Sequence, residues 1–542
     1  MPEVEQSAAL PPAHAARRLL WLAVGIIVVA AAWRTMVAAM MPCIARDSVT
    51  FCQYARDLGD EGWAYLRRPT THQHPLFPLT VLASQRLTRA LGAADGPMTW
   101  QRSGQVAAGI AGLAIVLLAG LLTRRLARRL ELPIDPNAAA VAALALAALL
   151  PLNVWLSAEV MSDQLHAAFY LLGAWAMLRI EHIRSAVLCG VAGALAYLTR
   201  PEGLVVILAG LAALVALRIT WRRRLLGMLT LLAAFGVCAS PYWLATGDLT
   251  AKLGKNPLDW FRGEETAAAM PAAHVPDAMV SRLAGAPALL FVAKLQPLEL
   301  PAYALLPWVL YTLFRAGRVV VPLLAAFPLV ALRRQVLRPP LVGLIGCMVG
   351  HLTLTLILLH QHSYLAPRHL LVVVMLLLPF AAIALTWPFR AAARPWQRVA
   401  AIGLVVVALL PLAAYSLRLP NAADDYLPEV ALELARQDPE ISAKRIMSGS
   451  SPRRVVFYAG AAWLPWYEAP EYLDALRRHI LTERPDYFLF ETGTGYERAG
   501  NEAVLTLLES DPDLAGRSRR VLVRDVPGPA RLHAFAFDWG DG

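Results

Sequence analysis

Asp47, Glu159, Asp163 and Glu202 interrupt or closely flank long apolar runs, and Arg34, Arg46, Arg200 and Arg368 stand in comparable positions, joined by His74, Tyr364 and His369. A carboxylate can take a proton from a weak nucleophile such as a hydroxyl. An arginine offers a planar fork of donors that matches phosphate oxygens. Ionisable side chains at membrane depth are costly, so a collection of them is a functional-site hypothesis by default. Each also has a plainer reading. Asp47 precedes a helical stretch and Ser162-Asp163 opens another, so both are placed to cap helices. Arg34 is placed to snorkel to an interface, Glu202 to pair with Arg200, and His74, before Pro75, to shape a turn. Arg200 between two spans runs against the charge bias of its side of the membrane, which favours function. Tyr364 and His369 beside Arg368 favour a phosphate site there.

These residues are positioned by membrane spans. Of the 542 residues 58% are hydrophobic and only 16% charged, where a soluble chain carries about a quarter charged. A span needs about 20 apolar residues. Candidates are 19–41, 103–123, 138–156, 164–180, 185–199, 203–219, 225–245, 303–332, 340–359, 370–388 and 398–418. Arginine clusters fall in alternate loops: Arg17/Arg18, Arg124/Arg125/Arg128/Arg129, Arg179/Arg184, Arg222/Arg223/Arg224, Arg333/Arg334/Arg338 and Arg390/Arg394/Arg398. The positive-inside rule makes that side the cytoplasm. The N-terminus reads as a retained first span, since Glu3 and Glu5 precede it and no small-residue cleavage site follows. The net charge of +11 sits in these short loops, so it sets orientation and does not form a groove for nucleic acid.

The opposite, outer side receives 42–102, 157–163, 200–202, 246–302, 360–369 and the tail from 419. Every residue singled out above gathers there. Two acids and several arginines near the outer leaflet suit a substrate that is itself anionic and anchored in the membrane. In the first outer loop, 48–58 reads as a helix on the membrane surface, and the stretch after His74-Pro75 as a second surface or half-buried helix. Cys43 and Cys52 lie in the same loop, where a disulfide is allowed but free thiols are the ordinary outcome. The tail, 419–542, is more polar. Its short apolar runs at 453–460, 486–491 and 519–526 alternate with helical stretches such as 471–483, which predicts a small α/β domain. Trp463, Trp466 and Tyr467 read as its core more readily than as a sugar platform. No internal repeat, Gly-rich phosphate loop or metal-spaced Cys/His cluster is present. No cofactor is expected, and nothing points to a divalent metal.

Several short motifs, in order and on one side of the membrane, then resemble a known family. They are Arg34 in the first span, Arg46-Asp47 followed by Tyr54-Ala55-Arg56, Gln-His-Pro-Leu-Phe-Pro at 73–78 and Ala-Glu-Val-Met-Ser-Asp at 158–163. Tyr-Leu-Thr-Arg-Pro-Glu-Gly at 197–203 and Ala-Pro-Arg-His-Leu at 366–370 complete the set. The whole chain resembles the GT-C class of polyprenyl-phosphate-sugar-dependent glycosyltransferases, in particular the protein O-mannosyltransferase and lipid A aminoarabinose transferase group. It departs from that pattern where Ser48 follows Asp47 in place of a second acid, and where His74 stands for a lysine.

The resemblance implies a mostly α fold: a membrane bundle of about eleven spans over 1–418, followed by the extracytoplasmic α/β domain. It implies transfer of a sugar from a polyprenyl phosphate to a lipid, glycan or protein acceptor at the outer face of the inner (plasma) membrane, with inversion. Asp47 is then the base and Asp163 orients acceptor or sugar. Arg200 and Arg368 hold the phosphate, with Arg34, Arg46, His74, Glu159, Glu202, Tyr364 and His369 around the substrates. Two rivals are a lipid or sugar-lipid flippase and a non-catalytic binding relative. A transporter should place its charges near the bilayer midplane of repeated halves, which is not the pattern here.

Overall fold

All eleven apolar segments are helical. The computed structural model describes residues 13–68, 73–247, 302–331, 339–362, 365–391, 394–419, 424–449, 452–466, 473–493, 501–528 and 530–540. Tyr364 and Tyr467, and most of the loop 246–302, lie outside the described residues. The membrane part runs α1 (Ala13–Met40), α2 (Arg46–Glu61), α3 (Leu76–Ala90), α4 (Pro97–Arg129), α5 (Pro136–Leu149), α6 (Pro151–Ala158), α7 (Asp163–Met177) and α8 (Ile183–Thr199). It continues with α9 (Leu204–Ala216), α10 (Trp221–Thr246), α11 (Ala302–Ala316), α12 (Val320–Ala331), α13 (Pro339–His362), α14 (Leu371–Ala391) and α15 (Pro395–Ser416). Among the described residues five helices, α1, α4, α10, α14 with the turn before it, and α15, are long and apolar enough to cross a membrane, and up to seven spans result if each bent pair counts as one. α14 is apolar all round and is buried on nearly every side, as a helix at the centre of a bundle must be.

Two segments read as single spans are broken, for identifiable reasons. Segment 138–156 bends by 54° between α5 and α6. Pro151 has no N–H and disfavours helical geometry before it, and Leu150 is accordingly extended at ψ 116°. The break orphans carbonyls at the end of α5. Arg34 from α1 donates to the carbonyls of Ala147 and Ala148, each at 3.3 Å, and to Ser157 Oγ at 3.2 Å. Asn153 Nδ2 adds a bond to the Ala147 carbonyl at 2.7 Å. A cation at a helix C-terminus also meets the negative end of the helix dipole. Gly112 of α4 makes room for this clamp, since a Cβ there would sit 2.0 Å from Ser157 Oγ. Segment 303–332 is likewise two helices, α11 and α12, bent by 110°.

The first-loop helices form as expected, but α2 does not lie loosely on a surface. Val49, Phe51, Cys52, Tyr54, Ala55 and Leu58 are buried along one face, against α3 and the tail. Cys43 and Cys52 are both buried free thiols.

The tail comprises α16 (Tyr426–Gln437), β1 (Arg445–Ser448), α17 (Arg453–Ala459), β2 (Ala462–Pro465), α18 (Leu473–Glu483), β3 (Tyr487–Gly493), α19 (Asn501–Ser510), β4 (Ser518–Val526) and β5 (Ala530–Phe537). The sheet order is β2-β1-β3-β5-β4, with β2, β1 and β3 parallel and β5 antiparallel to both neighbours. Alternate residues serve opposite faces. Ile446 and Leu489 join α16 in one core layer, and Met447, Phe488 and Phe490 join Trp466 and Ile480 in the other. The apolar run at 453–460 is a helix, not a strand. It packs against α16 and α2, and Gly460 closes it at φ 71°, a left-handed C-cap that favours glycine. Trp463 stacks under the Arg453 guanidinium at 3.8 Å.

Candidate active site

Asp47 stands in the first turn of α2, whose N-cap is Ala45. Its Oδ2 accepts from Arg368 Nη2 at 2.7 Å. Asp163 begins α7 after the N-cap Ser162, whose side chain makes no cap bond. Its Oδ1 accepts from Arg200 Nη1 at 2.6 Å. Both acids that stood at capping positions are therefore engaged with arginines far away in sequence.

The two arginines sit on short connections. Thr199 ends α8, and Arg200 is extended at φ −154°, ψ 141°, as a residue before proline should be. Pro201–Gly203 then turns once and enters α9. This turn presses on α8: a Cβ on Gly203 would lie 2.1 Å from the backbone nitrogen of Tyr197. Gly203→Ala is therefore expected to cost about 1–3 kcal/mol through overpacking and to shift Arg200. Thermal unfolding in detergent, compared with Gly25→Ala at a site with open space, checks it; equal midpoints for the two variants would contradict the steric argument. Arg368 lies on the turn Pro367–Leu370 between α13 and α14. His351 Nε2 reaches the His369 carbonyl at 2.9 Å and fixes that turn from below.

The two ion pairs form one group. Asp163 feels the charge of Arg368 as well as that of Arg200, and Arg200 feels Asp47. Glu202 Oε1 accepts from Arg200 Nη2 at 3.2 Å. The structure thus brings together Asp47, Asp163, Arg200, Glu202, Arg368 and His369. Exposure separates their capacities. The Asp47 side chain is 43% exposed and Arg368 25%, whereas Asp163 is 4% exposed. Asp47 is the carboxylate a substrate can reach, and Asp163 is a fixed anion behind Arg200.

Other singled-out residues are placed differently. Arg34 is buried and its donors go to the α5–α6 break, so it neither snorkels nor extends toward a ligand. His74 is buried, its ring centroid 5.1 Å from both Tyr197 and Tyr242. Glu159 is buried at the turn between α6 and α7, and Arg46 is exposed as the first residue of α2. Sequence reasoning missed His166 and His351, buried behind the ion pairs with ring centroids 6.2 Å apart. Single histidines in apolar spans read as core. The available signal was spacing, since His166 follows Asp163 by three residues and so shares its helix face. Among the described residues no group of three or more His, Cys, Asp or Glu side chains is arranged to hold a metal ion.

The tail reaches this region directly. Tyr458 of α17 accepts from the Ile44 backbone N–H at 2.9 Å and donates to Gln101 Oε1 at 2.7 Å. Arg453 donates to Thr50 Oγ1 at 2.9 Å and to Gln53 Oε1, both on α2.

Residues 96–244 match the family of dolichyl-phosphate-mannose-protein mannosyltransferases. No curated protein matches the chain by sequence. Among solved structures, the chain is similar to ArnT from Cupriavidus metallidurans in the apo state, at 14% identity and a TM-score of 0.54, over 96% of this chain and 98% of that one. The same protein bound to undecaprenyl phosphate matches at 14% identity and 0.54, over 94% and 97%. The oligosaccharyltransferase of Archaeoglobus fulgidus matches at 12% identity and a TM-score of 0.57, over 94% of this chain and 73% of that one. The chain is a multi-pass membrane protein with the GT-C glycosyltransferase fold, and its resemblance to that class holds in the family match at 96–244 and in the fold of nearly its whole length.

Proposed function

We propose that this protein transfers a sugar from a polyprenyl phosphate to an acceptor, with inversion, at the outer face of the inner (plasma) membrane. The observation that carries the proposal is the convergence of the Asp47–Arg368 and Asp163–Arg200 pairs at one end of a bundle with this fold. The similarity to a protein solved with undecaprenyl phosphate supports the donor class.

In this reading the phosphate of the donor meets Arg368 and Arg200, which stabilise the charge that grows as the sugar leaves. An arriving phosphate competes with Asp47 for Arg368, and so releases the carboxylate as it binds. Asp47 then takes the acceptor O–H proton while the acceptor oxygen bonds to the anomeric carbon. The bond from that carbon to the phosphate oxygen breaks, and polyprenyl phosphate departs with the electron pair. Phosphate is already a good leaving group, so no strong acid is required. Asp163 and Glu202 hold Arg200 in place. We further propose that the tail from 419 is a domain of its own, seated over the first-loop helices.

Purified protein given a labelled polyprenyl-phosphate sugar, with lipid, glycan and protein acceptors tested in turn, should release polyprenyl phosphate and label one acceptor class. Failure with every donor sugar would overturn the proposal. For orientation, a reporter fused after residue 224 is expected to report the cytoplasm, and one after residue 420 the opposite side, because the arginine clusters alternate that way. A C-terminal fusion active only in the cytoplasm would remove the outer-face site.

A further inference from the structure

The α11–α12 break has a cationic cluster that the proposed transfer does not use. Its joint is made by Arg318 and Val319, non-glycine residues at φ 52° and 63°. A β-branched residue is a real outlier in that region, and such strain persists only where the surroundings impose it. The surroundings here are aromatic and basic. The Arg318 guanidinium lies 4.5 Å from the Tyr415 ring centroid and 5.0 Å from that of Trp155, and Arg418 lies 4.4 Å from Tyr415. Arg315, one turn earlier, is close enough, with Arg418, to repel the charge on Arg318. Among the described residues none of the three pairs with a carboxylate. The Trp155 indole N–H is buried there and has no acceptor among the described residues.

The level of the cluster is set by its neighbours. Trp33 Nε1 donates to Ser416 Oγ at 3.0 Å, so the outer parts of α1 and α15 meet beside it. α6 and α11 both pack against the turn that carries Arg368. The cluster therefore sits at the same end of the bundle as the Asp47 group. Tryptophan and tyrosine at the ends of spans mark the headgroup level of a bilayer. Aromatic faces stabilise a guanidinium only in part, and three like charges oppose one another. A multi-oxygen anion answers both the charges and the unanswered indole donor, and basic pockets between spans bind lipid headgroups for this reason.

We infer that the α11–α12 break is a binding site for the phosphate headgroup of an anionic membrane lipid, built from Arg315, Arg318, Arg418 and Trp155. It is distinct from the donor site, so its test needs no transfer assay. The full chain in uncharged detergent, titrated with phosphatidylglycerol or phosphatidylcholine and followed by native mass spectrometry, should retain the anionic lipid preferentially. Arg318→Gln with Arg418→Gln should weaken that retention by about 10- to 100-fold and leave phosphatidylcholine unchanged. Equal retention of the two lipids by the unmodified chain, or unchanged phosphatidylglycerol binding by the variant, overturns the site. Displacement of the lipid by millimolar inorganic phosphate overturns the lipid assignment in favour of a soluble anion. If the double variant does not fold, Arg418→Gln alone, at an exposed helix end, should still weaken phosphatidylglycerol binding several-fold, and unchanged affinity there is equally fatal.

Discussion

Asp47→Asn is expected to lower sugar transfer by about 10²–10⁴-fold, the usual consequence of losing a general base, while the protein inserts, folds and binds donor. The substitution keeps the size of the side chain and removes its negative charge and its ability to take a proton. Asp47 is 43% exposed, so a neutral amide there does not leave a buried charge behind. The Arg368 contact weakens from a charge-assisted bond to an ordinary one, and Arg368 becomes easier for a phosphate to capture. Donor affinity should therefore stay level or rise as turnover collapses. Single-turnover transfer and donor binding measured on the same preparation separate the two. Near-normal transfer by Asp47→Asn would reduce Asp47 to a tether for Arg368.

The arginines should respond differently from each other, because their partners differ in burial. Arg368→Ala leaves Asp47 solvated, so the protein is expected to fold and to lose about 10²–10³-fold in turnover, as when one donor to a developing anion is removed. Arg200→Ala leaves Asp163, 4% exposed, as an uncompensated buried carboxylate. Breaking a buried pair in this way costs about 3–5 kcal/mol, so that variant should fail in stability before its activity can be read. Asp163→Asn combined with Arg200→Ala removes the orphaned charge and should recover much of the folding without recovering transfer. Lysine at position 368 keeps the charge but not the planar fork, and should fall between wild type and alanine. Equal thermal stability for Arg200→Ala and Arg368→Ala would show that the Asp163–Arg200 pair is not buried as a unit. If the Arg200→Ala, Asp163→Asn protein transferred sugar at the wild-type rate, neither residue would have a part in the chemistry.

What the amino-acid sequence determined by itself was the class of molecule and the identity of its central charges. Apolar runs of about 20 residues have few alternatives to helix in a bilayer, because every backbone polar group must be satisfied within the segment. All eleven runs are helical for that reason. Asp47, Asp163, Arg200 and Arg368 stood out because charge beside an apolar run is costly, which is a local property. The helices at 46–61 and 76–90 followed from spacing, as did the strands at 487–493 and 518–526. Only the tertiary structure decided the pairings. Asp47 and Arg368 are 321 residues apart, and no local rule says which acid meets which arginine. Arg34 shows the same limit from the other side. Its partners at the end of α5, the Ala147 and Ala148 carbonyls, are open to it because Pro151 breaks a helix more than a hundred residues away, so its place as a clamp was invisible in the chain. The run at 453–460 is as apolar as the strands beside it. It became a helix because α16 and α2 offered it a surface to pack on, and short apolar runs take the form their burial allows.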